Sequence, residues 1–188
     1  MKKCILICFS LAFLFFTMES CRSSRATSGI SSNHQIVSHV KLKKKIPAVS
    51  INVENVTADE LLDFAETLIG VKYQYGSCDK EKGFDCSGFI WYVFNHFNIK
   101  VPRTSEQFTN AGKEVSMNDA RRGDLILFTG SDPNSGVVGH MGLITENKNN
   151  HITFIHSASG GGRGVSKAQM SGYFTARFVR VNRIFFKN

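Results

Sequence analysis

The sequence predicts an α+β fold, with N-terminal helices packed on a C-terminal antiparallel sheet. Three capped helical patterns fall before residue 112, and apolar runs of strand length follow from residue 124. Helices first and strands later, without alternation, argue against a parallel sheet built from βαβ units. The chain has 188 residues, enough for one domain with a sizeable core once leading segments are set aside.

Residues 1–20 read as a signal peptide. Lys2 and Lys3 precede an apolar stretch over residues 4–16, too short for an ordinary transmembrane span of roughly 20 residues. Thr17-Met18-Glu19-Ser20-Cys21 then resembles a bacterial lipobox, with Cys21 as the lipidated residue and Glu19 departing from the usual small residue. A simple cleaved secretory signal, or an unmodified Cys21, is the alternative. Lipidation would anchor the chain to a membrane without spanning it. Residues 21–56 read as a polar tether carrying His34, His39 and the basic run Lys41-Leu42-Lys43-Lys44-Lys45.

The folded domain is placed at residues 57–188. Thr57 and Glu60 form a capping box, and Leu61, Leu62, Phe64, Ala65, Leu68 and Ile69 give an apolar helical face that Gly70 ends. Asp85 stands at the N-cap of a second helix with Phe89, Ile90, Val93, Phe94 and Phe97 as its buried stripe. A third short helix opens with the capping box of Thr104 and Gln107 and stops at Gly112. Strand runs follow at 124–128, 140–145 and 152–156, the last two joined by a polar turn over 146–150, and a final strand-like stretch covers 177–186.

The net charge is +8, from 23 Lys and Arg against 15 acids. The charges are scattered, with no basic helix and no aromatic-basic motif, so nucleic acid is not an expected partner. A solvated surface suited to a polyanionic setting fits better.

Cys86 lies at the first turn of the second helix. Unpaired amides and the helix dipole there favour an anion, so its thiolate is expected to be stabilised and its pKa to fall. The same amides could hold an oxyanion. His140 starts a strand between Gly139 and Gly142, which permit close approach of a partner. His156 ends the next strand. If those strands pair, His156 can orient His140 as the third member of a triad. Zinc is the rival use of Cys78, Cys86, His140 and His156, but the spacings do not match a structural knuckle, and no metal or cofactor is expected. His96 and His151 are expected to face solvent. Cys78 either lies passively in a loop or pairs with Cys86 as an oxidative mask.

Phe84-Asp85-Cys86-Ser87-Gly88-Phe89, then His140-Met141-Gly142-Leu143, then Phe154-Ile155-His156, resemble the NlpC-type cell-wall cysteine peptidases of the papain-like clan. Gly70 to Tyr73, Pro102 to Ser105 with Gln107, and Gly123 to Leu125 with Phe128 match the family's other segments in order. The resemblance implies a papain-like fold, Cys86 as nucleophile, His140 as base and His156 as orienting residue. It implies that Tyr73 places its hydroxyl near the thiol, and that Asp85 and Ser87 contact the peptide stem. The implied substrate is the peptidoglycan stem peptide, cut between D-glutamate and the diamino acid by a monomer. Together with the lipobox-like segment, the expected location is the bacterial envelope, lipid-anchored at the outer membrane and facing the periplasm. An amidase or acyl transferase on the same triad, and a non-catalytic wall-binding lipoprotein, are the competing readings. Asp132 to Gly136 is an insertion before His140 that could form a rim.

Overall fold

The computed structural model describes residues 48–53, 55–160 and 164–186. The expected signal peptide, Cys21 and most of the expected tether lie outside these residues. The folded body starts earlier than residue 57, however. Val49 forms a parallel bridge with Ala111, and Val49, Ile51, Val53 and Val56 pack against the core. Their alternation is that of an extended segment buried on one side.

Helix α1 spans Ala58–Glu66. The Thr57 hydroxyl accepts from the Glu60 amide at 3.2 Å, and the Thr57 amide donates to Glu60 Oε2 at 2.8 Å. Leu61, Leu62 and Ala65 are buried, as the periodicity predicts. The α-helix stops four residues short of Gly70, because the amides of Leu68 and Ile69 turn back three residues rather than four. Gly70 then takes φ +93°, and Ile69 is left exposed.

A small antiparallel pair, β1 (Cys78–Asp79) and β2 (Gly83–Phe84), leads into α2 (Cys86–His96). Phe89, Ile90, Val93 and Phe94 are fully buried, each such side chain contributing about 1.5–3 kcal/mol by leaving water. The third helix forms at Ser105–Asn110 as a 3₁₀ helix. Six residues can close only short turns, and the Thr104 amide donates to Gln107 Oε1 at 3.3 Å at its start.

Six antiparallel strands make the sheet: β3 (Lys113–Val115), β4 (Leu125–Thr129), β5 (Val138–Lys148), β6 (His151–Ala158), β7 (Gly164–Gln169) and β8 (Phe178–Arg183). A short helix α3 (Gly172–Thr175) precedes β8. The spatial order is β3-β8-β4-β5-β6-β7. The β5–β6 hairpin runs further than the sequence predicts, since only Asn149 and Asn150 turn, at φ +51° and +65°. Two positive φ values form the tight turn that matches strand twist, and asparagine tolerates them.

The strands bury residues on both faces. Leu125, Leu127, Met141, Leu143 and Ile155 pack in the cluster that holds α2. Ile126, Phe128, Ile144, Ile152 and Phe154 form a second cluster, joined by Phe174 of α3. This division brings the first residue of α2 to the end of the sheet where β5 begins.

Candidate active site

Cys86 is the first residue of α2, and Asp85 is its N-cap, accepting from the Gly88 amide at 2.6 Å. Gly88 is required here: a Cβ would come within 2.0 Å of the Ser77 carbonyl oxygen. Arg103 grips Asp85 with both Nη atoms, at 2.8 and 3.1 Å, and also donates to Ser87 Oγ at 3.1 Å. Ser87 in turn donates to Asp85 Oδ1 at 3.2 Å. Asp85 and Ser87 are only 7% and 5% exposed and do not line the cleft. Their present partners are therefore protein groups, and the stem-peptide contacts that the resemblance implies for them stay an expectation. These two side chains face inward to Arg103, because the helix start needs an N-cap and the carboxylate needs a cation.

The Cys86 sulfur lies 3.3 Å from Ser105 Oγ and 3.8 Å from the Gly139 carbonyl oxygen. Its pKa is pushed up, not down. Burial is the largest cause, and the Asp85 charge adds to it. The Ser105 hydroxyl and the amides of Ser87 and Cys86 pull the other way, so the helix-start effect is present but outweighed.

Strand β5 supplies His140 and β6 supplies His156. His140 Nε2 and His156 Nδ1 are 2.8 Å apart, with the rings nearly perpendicular. Gly142 lies beneath this pair, where a Cβ would come 2.7 Å from the Ile155 carbonyl oxygen and 2.9 Å from the Phe154 ring. Phe128 and Phe174 flank the His140 ring, the latter stacked at 6.4 Å. Burial pushes the His140 imidazole down to about 3, with the neighbouring His156 as the second cause. Burial also pushes His156 down to about 4. Both rings are thus neutral at neutral pH.

With His140 protonated on Nε2 and donating to His156 Nδ1, its own Nδ1 is free to accept a proton. Cys86 and His140 are not hydrogen-bonded to each other; the thiol rests on Ser105 and Gly139 instead. Both line one cleft of about 730 Å³ together with His156 and Tyr73. The Tyr73 hydroxyl titrates above its usual value, chiefly through burial and then through Cys86 and Asp85. The set supplies a nucleophile, a neutral base, an orienting ring and hydroxyl and amide donors, which together suit acyl transfer.

Cys78 and Cys86 are both free thiols. Among the described residues no group of three or more His, Cys, Asp or Glu side chains is arranged to hold a metal ion. His96 is exposed but stacks on Phe64 at 3.6 Å. The sequence reading gives no site role to Arg103 or Ser105, although both lie in the segment after Pro102 that matches the family. It also passes over Thr129, Phe174 and Arg177, whose segments carry no local motif.

The model of the NlpC/P60 family matches residues 70–183. The γ-D-glutamyl-L-lysine dipeptidyl-peptidase of Bacillus subtilis (strain 168) is 31% identical over 96 residues, covering 51% of this chain and 32% of that protein. The murein DD-endopeptidase MepS/murein LD-carboxypeptidase of Escherichia coli (strain K12) is 30% identical over 137 residues, covering 72% and 65%. Among solved structures, a Staphylococcus aureus protein described as similar to lipoprotein, NLP/P60 family, superposes with a TM-score of 0.59 at 26% identity, covering 76% of this chain and 45% of that one. The matched region spans less than two thirds of each of these three proteins.

Proposed function

The chain belongs to the NlpC/P60 family, and from that membership we propose that it is a cysteine endopeptidase hydrolysing peptidoglycan stem peptides between D-glutamate and the diamino acid. The carrying observation is that Cys86 and the bonded His140–His156 pair line one cleft, with the thiol against the carbonyl of the residue preceding His140. The γ-D-glutamyl-L-lysine activity named for the B. subtilis relative supports the choice of bond.

In this mechanism His140 Nδ1 accepts the Cys86 proton as the sulfur attacks the amide carbon. Its Nε2–H stays on His156 Nδ1, so the developing imidazolium keeps its acceptor. The Cys86 and Ser87 amides and the Tyr73 hydroxyl donate to the oxyanion. Collapse breaks the C–N bond, and His140 passes its proton to the leaving amine. Water, deprotonated by His140, then hydrolyses the thioester and returns the thiol. Because the free thiol titrates high and the imidazole low, the proton moves with the attack instead of resting beforehand on His140. Asp85, Ser87 and Arg103 act as positioning residues that fix the start of α2.

Incubation of purified muropeptides with the protein, followed by mass analysis, tests the bond. Release of the diamino acid with a free amine is expected; products cut elsewhere in the stem or at the cross-link would overturn the assignment. A cross-link or carboxypeptidase specificity is the second reading, supported by the activity named for the E. coli relative. The proposed envelope setting, with Cys21 lipidated and the domain facing the periplasm from the outer membrane, rests on the lipobox-like segment. Labelled fatty acid should enter the wild-type chain and not Cys21→Ala.

A further inference from the structure

Thr129 and Arg177 are the two cleft residues with buried polar atoms that nothing in the described structure satisfies. Thr129 is 4% exposed, yet its Oγ1 has no hydrogen-bond partner, and neither does the buried Nε of Arg177. The two residues are adjacent, the Thr129 amide donating to the Arg177 carbonyl at 2.8 Å. Both line the cleft that holds Cys86 and His140.

The guanidinium is nevertheless held in place. Nη1 donates to the Tyr173 carbonyl at 3.2 Å, Nη2 donates to the Ser131 carbonyl at 3.3 Å, and the group lies 3.9 Å over the Tyr173 ring. These contacts fix its plane without neutralising its charge. No carboxylate among the described residues pairs with it, whereas Arg103, Arg122, Arg180 and Arg183 each meet one. A half-buried, immobilised cation with a buried, unpartnered Nε, in the same cleft wall as an unbonded hydroxyl, leaves polar atoms that an anion would satisfy. Arginine's planar fork suits a carboxylate in particular.

We infer that Arg177 and Thr129 form a subsite for a carboxylate carried by the amine-side residue of the scissile bond. The inference rests on the peptidase reading for its orientation. His140 delivers a proton to the leaving amine, and the ring stacked on His140 is Phe174, in the helix that leads to Arg177. The leaving residue therefore extends from the thiol past His140 toward Arg177. Its carboxylate has two sources: the side chain of a diamino dicarboxylic acid, or the carboxyl terminus of a stem that ends there.

Titration calorimetry with the full chain carrying Cys86→Ala, which leaves the ligand intact, separates them. Three stem peptides serve as probes: one ending in lysine carboxamide, one ending in lysine with a free carboxyl terminus, and one ending in a diamino dicarboxylic residue whose backbone terminus is amidated. At least one carboxylate ligand is expected to bind about tenfold or more tightly than the carboxamide, and which one identifies the source. Adding Arg177→Gln should bring that ratio close to one. Arg177→Lys should restore part of it, and Thr129→Val should reduce it by roughly twofold to fivefold. Binding of all three ligands within twofold of one another overturns the inference. So does a ratio that survives Arg177→Gln in a protein that still melts cooperatively, well above the assay temperature. Cleavage by the wild-type chain is scored separately. An intact ratio without cleavage would sink the peptidase reading and uphold the carboxylate subsite, while cleavage with a ratio near one would do the reverse.

Discussion

Arg103 and Arg177 both serve the ground around Cys86 and His140, but they are held in opposite ways. Arg103 closes a network with Asp85 and Ser87, so the buried carboxylate and hydroxyl at the start of α2 both have partners. Arg177 is oriented by two carbonyls and a ring, and keeps donors and charge unspent. The first arrangement stabilises the helix that presents the thiol. The second leaves the Arg177 Nε and the Thr129 hydroxyl for a ligand to satisfy. Saturation marks scaffold and unsatisfied donors mark recognition, even within one cleft.

The sharpest way to break this comparison is to remove each cation in turn. Arg103→Gln leaves Asp85 buried and unpaired, and should cost about 2–3 kcal/mol, below the loss for a fully enclosed pair because Arg103 is partly exposed. Thermal melting should show a fall of roughly 6–12 °C. Arg177→Gln should cost about 1 kcal/mol, since no carboxylate is abandoned. Equal losses would erase the distinction.

The histidine pair gives a middle-sized effect. His156→Ala should lower kcat/KM about 10- to 100-fold without abolishing turnover, because an orienting ring matters less than the group it orients. Steady-state rates on a defined stem peptide measure this. For the wild type, His140 and His156 titrate at about 3 and about 4, below the ordinary 6.5. A lowered pKa keeps the neutral base at lower pH, so the acid limb of kcat/KM should fall near pH 4. The unfolded chain takes up protons near 6.5 that the folded rings refuse, so stability should decline as pH drops from about 6.5 toward about 3. An acid limb near 6.5 would mean a solvated imidazole.

The smallest effect belongs to Ser105→Ala. Its hydroxyl pulls the thiol pKa down against burial, so removing it should slow alkylation of Cys86 at neutral pH by about twofold to fivefold. An unchanged alkylation rate would remove Ser105 from the site.

Local chemistry made much of the fold legible. The Thr57 capping box, the Asp85 N-cap and the apolar stripe of α2 each act within a few residues, and each forms where its pattern lies. Strand β7 was hidden because Ser166, Lys167 and Gln169 make a half-polar edge with little apolar signal. The start of the folded body was missed because Val49, Ile51 and Val53 form too short an alternation to stand out. At the site, the joining of Cys86, His140 and His156 in one cleft follows from helix-start and hairpin logic. The sign of the Cys86 shift does not, since burial is set by residues as distant as Ser105 and Gly139. Arg177 was illegible for the same reason: only the sheet order, which sets β8 beside β4, brings it to Thr129.

The most direct test is the rate at which the wild-type chain and Cys86→Ala release the diamino acid from a defined stem peptide, measured beside their melting curves. The expected result is a fall of about 10⁴-fold or more with both proteins equally folded. Cleavage of the same bond by Cys86→Ala at a comparable rate would contradict the assignment of Cys86 as nucleophile, and with it the chemistry proposed for the cleft.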